Sequence, residues 1–431
     1  MLLIHIDKIT PRISYIFKHI CLRILGIDIS FSTALEPFIA HKGPKMSYGK
    51  KAMGNEIFFQ SFGLLEQQGF DTLEISVKKW GDTVGFFPVS NTSALPFDIF
   101  AASFYMITRY EEYLPHVKDE MGRFMASESL AFKYGFLNQP VVDIWAYKFK
   151  DKLKEAFPGL PFPKKKMIIH PVVAATEPFV FKYKGLLRSA LGYANDLFRG
   201  KFRNVGERSK VILSLKRDPV DNFKWLINNA RHSNFKLTVF FLLGNALNFQ
   251  EGMNTHRKKF KLLLKYVSDY KEVGLIFSYD VLTDYEKLKS EKRRMEHITN
   301  RAVLSSMNAE FLVHLPDIYR NLVELQVKRD FTMVFRDTVG FRAGTCTPFL
   351  FYDLDYEVKT PLVIQPATMT SQAFNKRYSA DIEKTVNGFL AEVEKVNGTF
   401  TLIFSNSDFT SNEDNKVWRS IFSERLPNYA D

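Results

Sequence analysis

The second half of the chain alternates short apolar runs with amphipathic stretches, and this alternation constrains the fold more strongly than any other feature of the sequence. One stretch places Phe260, Leu263, Leu264 and Val267 at the i, i+3, i+4, i+7 spacing of a helix that packs on a sheet. Strands joined by crossover helices predict a parallel α/β fold, either a barrel or an open sheet. The predicted strands are residues 167–173, 237–243, 272–277, 302–306, 331–335, 362–365 and 400–404. The predicted helices lie near residues 219–233, 256–271, 284–300, 315–327, 379–396 and 416–425.

The first half of the chain has a more mixed pattern. An amphipathic helix is predicted over residues 12–20, and strand-like runs follow at residues 72–77 and 84–89. Two longer helices are predicted over residues 96–114 and 141–157. Helices mixed with short strands in this way favour an α+β fold for this half.

The clearest boundary in the chain is a proline-rich segment at residues 158–163, which three lysines follow. A chain of 431 residues is too long for one ordinary domain. We therefore expect a smaller α+β domain at residues 1–163 and an α/β domain at residues 164–431. With 46% apolar residues, the chain has enough material to give each domain a core.

The cysteines and the N-terminal residues bear on the compartment. Cys21 and Cys346 are the only two cysteines, which favours a reducing compartment over a disulfide scaffold. Asp7, Lys8 and Arg12 interrupt the apolar start, so it does not have the pattern of a signal peptide. No run approaches the length of a transmembrane helix. We expect a cytoplasmic protein.

The formal net charge is +12, and its distribution decides what the charge indicates. Short basic clusters occur at residues 164–166, 257–259 and 292–294, and the last two fall on predicted helices, where they mark a solvated face. We therefore do not expect a nucleic-acid partner. Binding to an anionic surface stays open as a hypothesis, and it requires a contiguous basic face.

The carboxyl ends of the predicted strands carry no histidine. They read Ala-Ala-Thr at residues 174–176, Ile-Phe-Ser at 276–278, Gln-Pro at 365–366 and Ser-Asn-Ser at 405–407. In (β/α) barrels the chemistry lies at this end of the strands, and a hydrolytic metal site needs several His or carboxylate ligands there. The chain is therefore either not a metal-dependent hydrolase or the scaffold of one whose site has been lost.

Two long runs of the sequence are specific enough to be recognised. One is Leu-Pro-Phe-Asp-Ile-Phe-Ala-Ala-Ser-Phe-Tyr at residues 95–105, with Arg-Tyr-Glu-Glu-Tyr at 109–113; the other is Gly-Phe-Arg-Ala-Gly-Thr-Cys-Thr-Pro-Phe at 340–349, with Tyr-Asp-Leu at 352–354. Together with residues 218–221 and 239–244, they resemble a Bacteroidetes-type polysaccharide deacetylase-like family. The resemblance spans nearly the whole chain. It implies a distorted (β/α)7 barrel, preceded by a smaller N-terminal domain, that deacetylates N-acetylated sugars with a divalent metal.

The chain departs from this family where its chemistry would lie. The resemblance implies an Asp-x-Asp at residues 174–176, with one aspartate as general base and one as metal ligand. It implies a histidine at position 276, another at position 310, a late His-Pro at 365–366, and a Trp-His-Asn at 404–406. Deacetylation needs a metal-bound water, a base and an acid, and the residues present supply none of these. The degenerate positions are Ala174, Thr176, Ile276, Gln365 and Ser405.

Several polar residues near the predicted strand ends remain candidates for binding a ligand. Arg342 could bind a carboxylate or phosphate, or could pin its own loop to Asp337 or Asp353. Asp218 and Asp221 could cap a helix or face the barrel mouth. The full set of candidate ligand-binding residues is Arg342, Thr345, Asp218, Asp221, Glu310 and Asn406.

Other titratable residues have simpler interpretations. Cys346 has no histidine near it in the sequence, which favours a small buried side chain over a nucleophile. His170 is expected to pack between the domains, and His314 to open a helix. A group of three, Arg109, Glu111 and Glu112, is expected to form helix salt bridges or to contact the second domain.

Three functional hypotheses follow. In the first, the chain is a catalytically degenerate deacetylase-like protein of surface-glycan metabolism, without cofactor or metal, that binds a saccharide or modulates an active paralogue. In the second, it is a hydrolase of carbon–nitrogen (N-acetyl) bonds with a site rebuilt from carboxylates, with or without a divalent metal. That site would draw on Glu177, Asp280, Glu310 and Asp408, with Glu177 and Glu310 in one pocket. In the third, its positive charge binds an anionic surface.

Overall fold

The computed structural model describes residues 1–233, 235–246, 254–374 and 379–429. The chain begins with a four-stranded parallel sheet in the order β2-β1-β3-β4. The sequence did not predict this sheet, because its strands are short and lack an alternating pattern that would separate them from helix. The four strands are β1 (Leu2–His5), β2 (Ile29–Ser32), β3 (Lys45–Gly49) and β4 (Ile57–Gln60).

A small antiparallel hairpin follows, formed by β5 (Lys78–Trp80) and β6 (Thr83–Gly85). The prediction of a strand at residues 72–77 is wrong, since that segment is irregular and extends only to the start of β5. Its apolar side chains pack against the main core without joining a sheet, which explains the strand-like pattern.

The helices of this half pack on the sheet. The predicted helix at residues 96–114 is interrupted at Arg109, whose φ of 54° breaks the helical path. Its first part begins after Asp98, which caps it by accepting from the N–H groups of Phe100 and Ala101. The predicted helices at residues 12–20 and 141–157 are confirmed. The helices are α1 (Pro11–Lys18, continued as a π-helix to Leu25), α2 (Leu35–Ala40), α3 (Ile99–Ile107), α4 (Tyr110–Tyr113), α5 (Leu130–Lys133) and α6 (Val141–Ala156).

The second half contains a nine-stranded sheet. Its strands are β8 (Val172–Ala175), β9 (Thr238–Leu242), β10 (Glu272–Phe277), β11 (Ser305–Asn308), β12 (Arg329–Asp330), β13 (Phe349–Asp353), β14 (Val358–Ile364), β15 (Met369–Thr370) and β17 (Leu402–Ser405). They are ordered β13-β14-β12-β11-β10-β9-β8-β17-β15, and all pairs except the antiparallel β13–β14 are parallel. A separate short pair joins β7 (Ile168–Ile169) to β16 (Thr399–Phe400).

Helices connect most of these strands. Six predicted helices are confirmed as α9 (Phe223–His232), α10 (Lys258–Tyr270), α11 (Tyr285–Thr299), α12 (Asp317–Glu324), α13 (Ser379–Lys395) and α14 (Lys416–Ser420). Two further helices were not predicted, α7 (Leu186–Phe198) and α8 (Phe202–Ile212).

The predicted strand at residues 331–335 is wrong. The strand in this region is β12, which ends at Asp330, and the apolar residues after it are buried by packing instead. Phe331 and Val334 belong to a second apolar cluster, distinct from the main core, to which β8, β9, β10, β11 and β17 also contribute. This cluster fills one face of the nine-stranded sheet.

The segment after β14 connects two distant strands of this sheet. The Gln365 N–H donates to the Asp330 carbonyl at 2.8 Å, on the β12 side. The Thr368 N–H donates to the Thr401 carbonyl at 2.9 Å, next to β17. Residues 365–368 therefore bridge strands that lie on opposite sides of the sheet order.

The two halves share one main apolar core, which includes residues of α1, α3 and α6 together with residues of β13, β14 and α13. No helix within the described ranges is both long enough and apolar enough to cross a membrane.

Candidate functional site

The five positions at which the chain departs from the family it resembles lie where strands end at one edge of the nine-stranded sheet. Ile276 is 1% exposed and belongs to the second apolar cluster, and Ala174 packs against that cluster. Thr176 is exposed just beyond β8. Gln365 is buried and donates through Nε2 to Thr401 Oγ1 at 3.1 Å, and Ser405 caps the following turn by accepting from the Ser407 N–H at 3.3 Å.

The residues at these strand ends do not fit a divalent metal. Zinc and similar ions bind through imidazole, thiolate or carboxylate groups that converge within a few ångströms. Around Ile276 the neighbours are apolar instead, among them Leu242, Met307 and Phe311. Within the described residues, no group of three or more His, Cys, Asp and Glu side chains could hold a metal ion.

Arg342 is held by the first half of the chain. Its Nε and Nη2 donate to the two carboxylate oxygens of Glu112 at 2.9 and 2.7 Å, and its Nη1 donates to the Val334 carbonyl at 3.0 Å. The interpretation that Arg342 pins its own loop to Asp337 or Asp353 is therefore wrong, because the carboxylate that it binds is Glu112. The prediction that Arg109, Glu111 and Glu112 form salt bridges or contact the second half is confirmed.

The electrostatics explain why Glu112 stays ionised. Burial opposes the charge on this carboxyl, but the neighbouring Arg342 and Arg109 guanidinium groups outweigh burial and lower the pKa of Glu112 to about 2. Arg109 Nε lies 2.7 Å from Glu112 Oε1, and Arg109 also donates to the Arg342 carbonyl. Glu112 thus pairs with both buried cations, and Arg109 has Glu111 as a second partner at 2.7 Å.

Thr345, in the second half, also hydrogen-bonds to the first half of the chain. Its hydroxyl donates to Asp143 of α6 at 2.7 Å, and the same carboxylate accepts from the Cys346 N–H at 3.0 Å and the Thr347 hydroxyl at 2.5 Å. Burial raises the pKa of Asp143 in spite of these bonds, and it also raises the pKa of the Cys346 thiol. The expectation of a small buried side chain at Cys346 is confirmed.

Asp143 was missed by the sequence analysis, although a signal for it exists. It stands between apolar residues on the buried face of α6, where an aspartate needs hydrogen-bond donors to be stable. The donors come from the run at residues 340–349, on which the family resemblance rests. This run also binds through its backbone, since the Phe341 N–H donates to the Leu137 carbonyl at 2.8 Å.

Asp218 anchors a loop rather than a helix. Its carboxylate accepts from the backbone N–H groups of Val180, Phe181 and Lys182 at 3.0, 2.9 and 3.0 Å. The prediction that Asp218 caps the next helix is wrong, because α9 begins only at Phe223. Asp221 is exposed to solvent.

Glu310 and Glu177 have different basic partners. Glu310 adopts a left-handed backbone with φ of 55°, and its Oε2 lies 3.0 Å from Arg336 Nε. Glu177 pairs with Lys184, and its carbonyl accepts from Asn406 Nδ2 at 2.9 Å. The candidate residues therefore form two separate groups, one around Arg336 and one around Asn406.

His170 does not pack between the halves, so that prediction is wrong. Its Nε2 lies 2.9 Å from Thr238 Oγ1, and its ring packs on Phe331 at a centroid distance of 5.3 Å, both in the second half. Burial lowers the pKa of His170 to about 3, so the ring is neutral at physiological pH. His314 lies at the start of α12 as expected, its carbonyl accepting from the Ile318 N–H at 3.1 Å.

A cavity of about 580 Å³ opens beside the ends of β11 and β12. One wall is the segment at residues 119–127 of the first half, and the other is the segment at residues 334–338 that follows β12. Aromatic rings and charged groups alternate along these walls. Its principal side chains are Phe124, Phe132, Phe335, Arg123, Arg336 and Asp337.

Arg123 holds the two walls together. Its Nε donates to Asp119 at 2.6 Å on its own wall, and its Nη2 donates to Asp337 Oδ2 at 3.4 Å on the other. The sequence analysis missed Arg123 and Phe124, because the segment around them carries no recognisable motif. Only Arg342 of the predicted candidates borders this cavity.

Comparison with known proteins gives a family model that matches part of the chain and a set of structural neighbours. Residues 2–158 match a family of unknown function (DUF7033). No curated protein matches the chain. Solved structures that match include a protein from Mycobacterium smegmatis with the provisional description of polysaccharide deacetylase, with 10% identity and a TM-score of 0.39, over 62% of this chain and 86% of that chain.

A CE4-family pseudoenzyme from Bacillus anthracis matches with 10% identity and a TM-score of 0.29, over 61% of this chain and 61% of that chain. A mutant of the same protein, with restored enzymatic activity, matches with 9% identity and a TM-score of 0.30, over 61% of this chain and 63% of that chain. The structural neighbours are thus polysaccharide deacetylase-like proteins, at low sequence identity.

Proposed function

We propose that this chain is a catalytically degenerate polysaccharide deacetylase-like protein of surface-glycan metabolism that binds a saccharide without cleaving it. The observation that carries the proposal is the apolar cluster at the strand ends. Ile276 and Ala174 stand where the resemblance implies a metal ligand and an aspartate, and both pack in this cluster. A metal placed there would lose its hydration without gaining ligands.

The proposal includes a closed barrel in the second half, preceded by a smaller α+β domain at residues 1–163. Seven strands, β8 to β12 with β14 and β17, would form the barrel wall. Support comes from residues 365–368, which hydrogen-bond on one side to Asp330 and on the other to Thr401. The second apolar cluster would then be the barrel interior, as expected for a small barrel filled by side chains.

The saccharide would bind in the cavity between residues 119–127 and 334–338. Sugar rings offer apolar C–H faces and hydroxyl edges, which match walls that combine aromatic rings with charged groups. Phe335 and Phe132 supply rings, and Arg336 and Asp337 supply groups that bind hydroxyls. The cavity volume of about 580 Å³ suits a short oligosaccharide.

Binding and catalysis can be measured on the same preparation. We expect N-acetylglucosamine oligomers to bind in calorimetry, without acetate release and without a stoichiometric metal in the purified chain. Arg336→Ala should weaken binding about tenfold, the loss of one charge-assisted hydrogen bond. The control is Arg301→Ala, an exposed arginine that pairs with Asp269 away from the cavity. A tightly held metal, or acetate release that a chelator abolishes, would contradict the proposal.

The alternative function, hydrolysis at a site rebuilt from carboxylates, is favoured by one observation. Asp408 follows β17, and burial raises its pKa to about 6, in the range of a general acid or base. Acetate release that resists chelation and disappears in Asp408→Asn would support this alternative.

A further inference from the structure

We propose that the helical hairpin formed by α7 and α8 docks this protein on the surface of an anionic lipid bilayer. The hairpin covers residues 182–217 and is inserted between β8 and α9. It leaves the sheet just after Thr176, at the carboxyl end of β8. The parallel strands β11 and β12 end at the same edge, so the hairpin and the cavity share one end of the sheet.

The hairpin carries most of the net charge of the chain. Residues 182–217 contain ten Lys and Arg against two Asp and Glu, a net charge of +8 in a chain whose net charge is +12. Arg199, Lys201 and Arg203 are exposed at the turn between the two helices, and Lys210 and Arg217 are exposed further along. This concentration makes the basic face local rather than spread over the molecule, which an anionic surface requires.

The same hairpin exposes large apolar side chains. Leu187, Leu191 and Phe198 lie within about 40° of one another on α7, since residues four and seven apart share a helix face. Phe198 is 92% exposed and Phe202 is 70% exposed, one on each side of the turn. Leu213 and Leu215 follow α8 and are 69% and 77% exposed. Transfer of such apolar side chains from water into an apolar phase lowers the free energy.

The hairpin is anchored, so these exposed groups do not reflect a loose segment. Arg208 Nη2 of α8 donates to Asp196 Oδ2 of α7 at 2.8 Å, and both side chains are about one-tenth exposed. The Tyr193 and Ser209 hydroxyls lie 2.9 Å apart across the same contact. At the base of the hairpin, Asp218 holds three successive backbone N–H groups. The apolar and basic groups are therefore presented together on a fixed support.

The combination of exposed basic and exposed apolar side chains on the hairpin favours a lipid bilayer over other partners. A second copy of the chain would bring two hairpins of net charge +8 together, and like charges repel. Nucleic acid would satisfy the basic groups but leave Phe198, Phe202 and the exposed leucines in water. A bilayer surface with anionic headgroups offers phosphates for Arg199 and Lys201 and an acyl boundary for Phe198, which is how amphipathic basic helices bind membranes.

Vesicle co-sedimentation of the full chain tests whether the hairpin binds an anionic bilayer. The wild-type chain should sediment with vesicles of phosphatidylcholine and phosphatidylglycerol, should bind phosphatidylcholine alone much more weakly, and should be released by salt. Replacing both rings, Phe198→Ser with Phe202→Ser, should lower the partition coefficient at least about tenfold. Reversing two charges, Arg199→Glu with Lys201→Glu, should lower it on anionic vesicles about tenfold.

Two matched variants keep this test specific. Lys258→Glu with Lys259→Glu makes the same charge change on the exposed start of α10, and Ile39→Ser removes an apolar residue that is also 70% exposed. Both should bind vesicles like the wild-type chain, and thermal unfolding checks that all variants are folded. The proposal is overturned if the controls lose binding equally, if anionic vesicles do not bind, or if the hairpin variants instead abolish self-association or nucleic-acid binding.

Discussion

Glu112 is the residue on which the contact between the two halves most depends. It accepts from Arg342 through both oxygens and from Arg109 through one of them, and all three side chains are nearly inaccessible to solvent. Its removal would take away the carboxylate that pairs with Arg342 and one of the two carboxylates, with Glu111, that pair with Arg109.

Glu112→Gln should therefore lower the free energy of unfolding by about 3–5 kcal/mol, the usual cost of breaking a buried ion pair. Urea titration measures this value. The control Glu413→Gln breaks an exposed pair with Lys416 and should cost under about 1 kcal/mol. Equal losses in the two variants would contradict the assigned role of Glu112.

The low pKa of Glu112 predicts that the effect of the same variant on stability depends on pH. Its folded pKa of about 2 is below the ordinary 4.5, so its contribution to stability is complete above pH 4.5 and is lost as the pH falls toward 2. Glu112→Gln should remove this component, so the difference in unfolding free energy between wild type and variant should shrink below pH 4.5.

At the scale of elements, one carboxylate holds the backbone segment that leads into the α7–α8 hairpin. Asp218 accepts from three successive backbone N–H groups at residues 180–182, where the chain turns from β8 toward α7. A buried backbone donor that loses its acceptor costs about 1–3 kcal/mol. The hairpin is therefore locally stabilised from its base.

Asp218→Ala should raise amide hydrogen exchange at residues 180–182 and make residues 182–217 more susceptible to proteolysis, while the β8–β10 amides stay protected. Asp221→Ala, an exposed carboxylate three residues further on, is the matched control and should leave exchange unchanged. If both variants exchange alike, Asp218 does not anchor the hairpin.

Sequence reasoning predicted the elements that carry a clear period. The helix α10 has an apolar stripe at helical spacing, and it forms where this stripe predicts it. The strand β10 begins and ends at the predicted residues, because its apolar run is buried in the sheet. The strands β1 to β4 lack such a period. The helices α7 and α8 were missed although α7 does carry an apolar stripe, at Leu187, Leu191 and Phe198; in the folded chain this stripe faces water.

The candidate site was less predictable than the fold, for a related reason. Local sequence shows that Arg342 and Thr345 are polar residues in a specific run, but their partners Glu112 and Asp143 lie more than 200 positions away. Whether a polar side chain binds a ligand or another part of the chain depends on such distant partners, and no local pattern encodes them. The apolar character of Ala174 and Ile276, in contrast, is evident from the sequence without knowledge of any distant partner.

At the scale of the whole molecule, the two halves are tied along an extended contact. Beyond the bonds to Glu112 and Asp143, Arg12 of α1 pairs with Glu357, and the Tyr15 hydroxyl donates to the Leu350 carbonyl at 2.7 Å. The main apolar core contains residues of both halves. The halves therefore stabilise one another.

Cutting the exposed Pro158–Gly159 bond, through a protease site inserted there, should leave the halves bound. We expect the cleaved protein to elute as one species in size exclusion and to unfold in one thermal transition. The same cut in a chain with Glu112→Gln and Asp143→Ala should release two fragments. Separation of the halves without these substitutions would show that the contact is weak.

The run at residues 340–349 has a consequence for how a mutational scan of this chain is interpreted. Its polar groups are bound to Glu112 and Asp143, so a substitution in it first changes how much folded protein is recovered. A screen that records only a biological readout would report these positions as essential and would mistake structural support for a binding site. Measuring the folded fraction of every variant beside that readout separates the two.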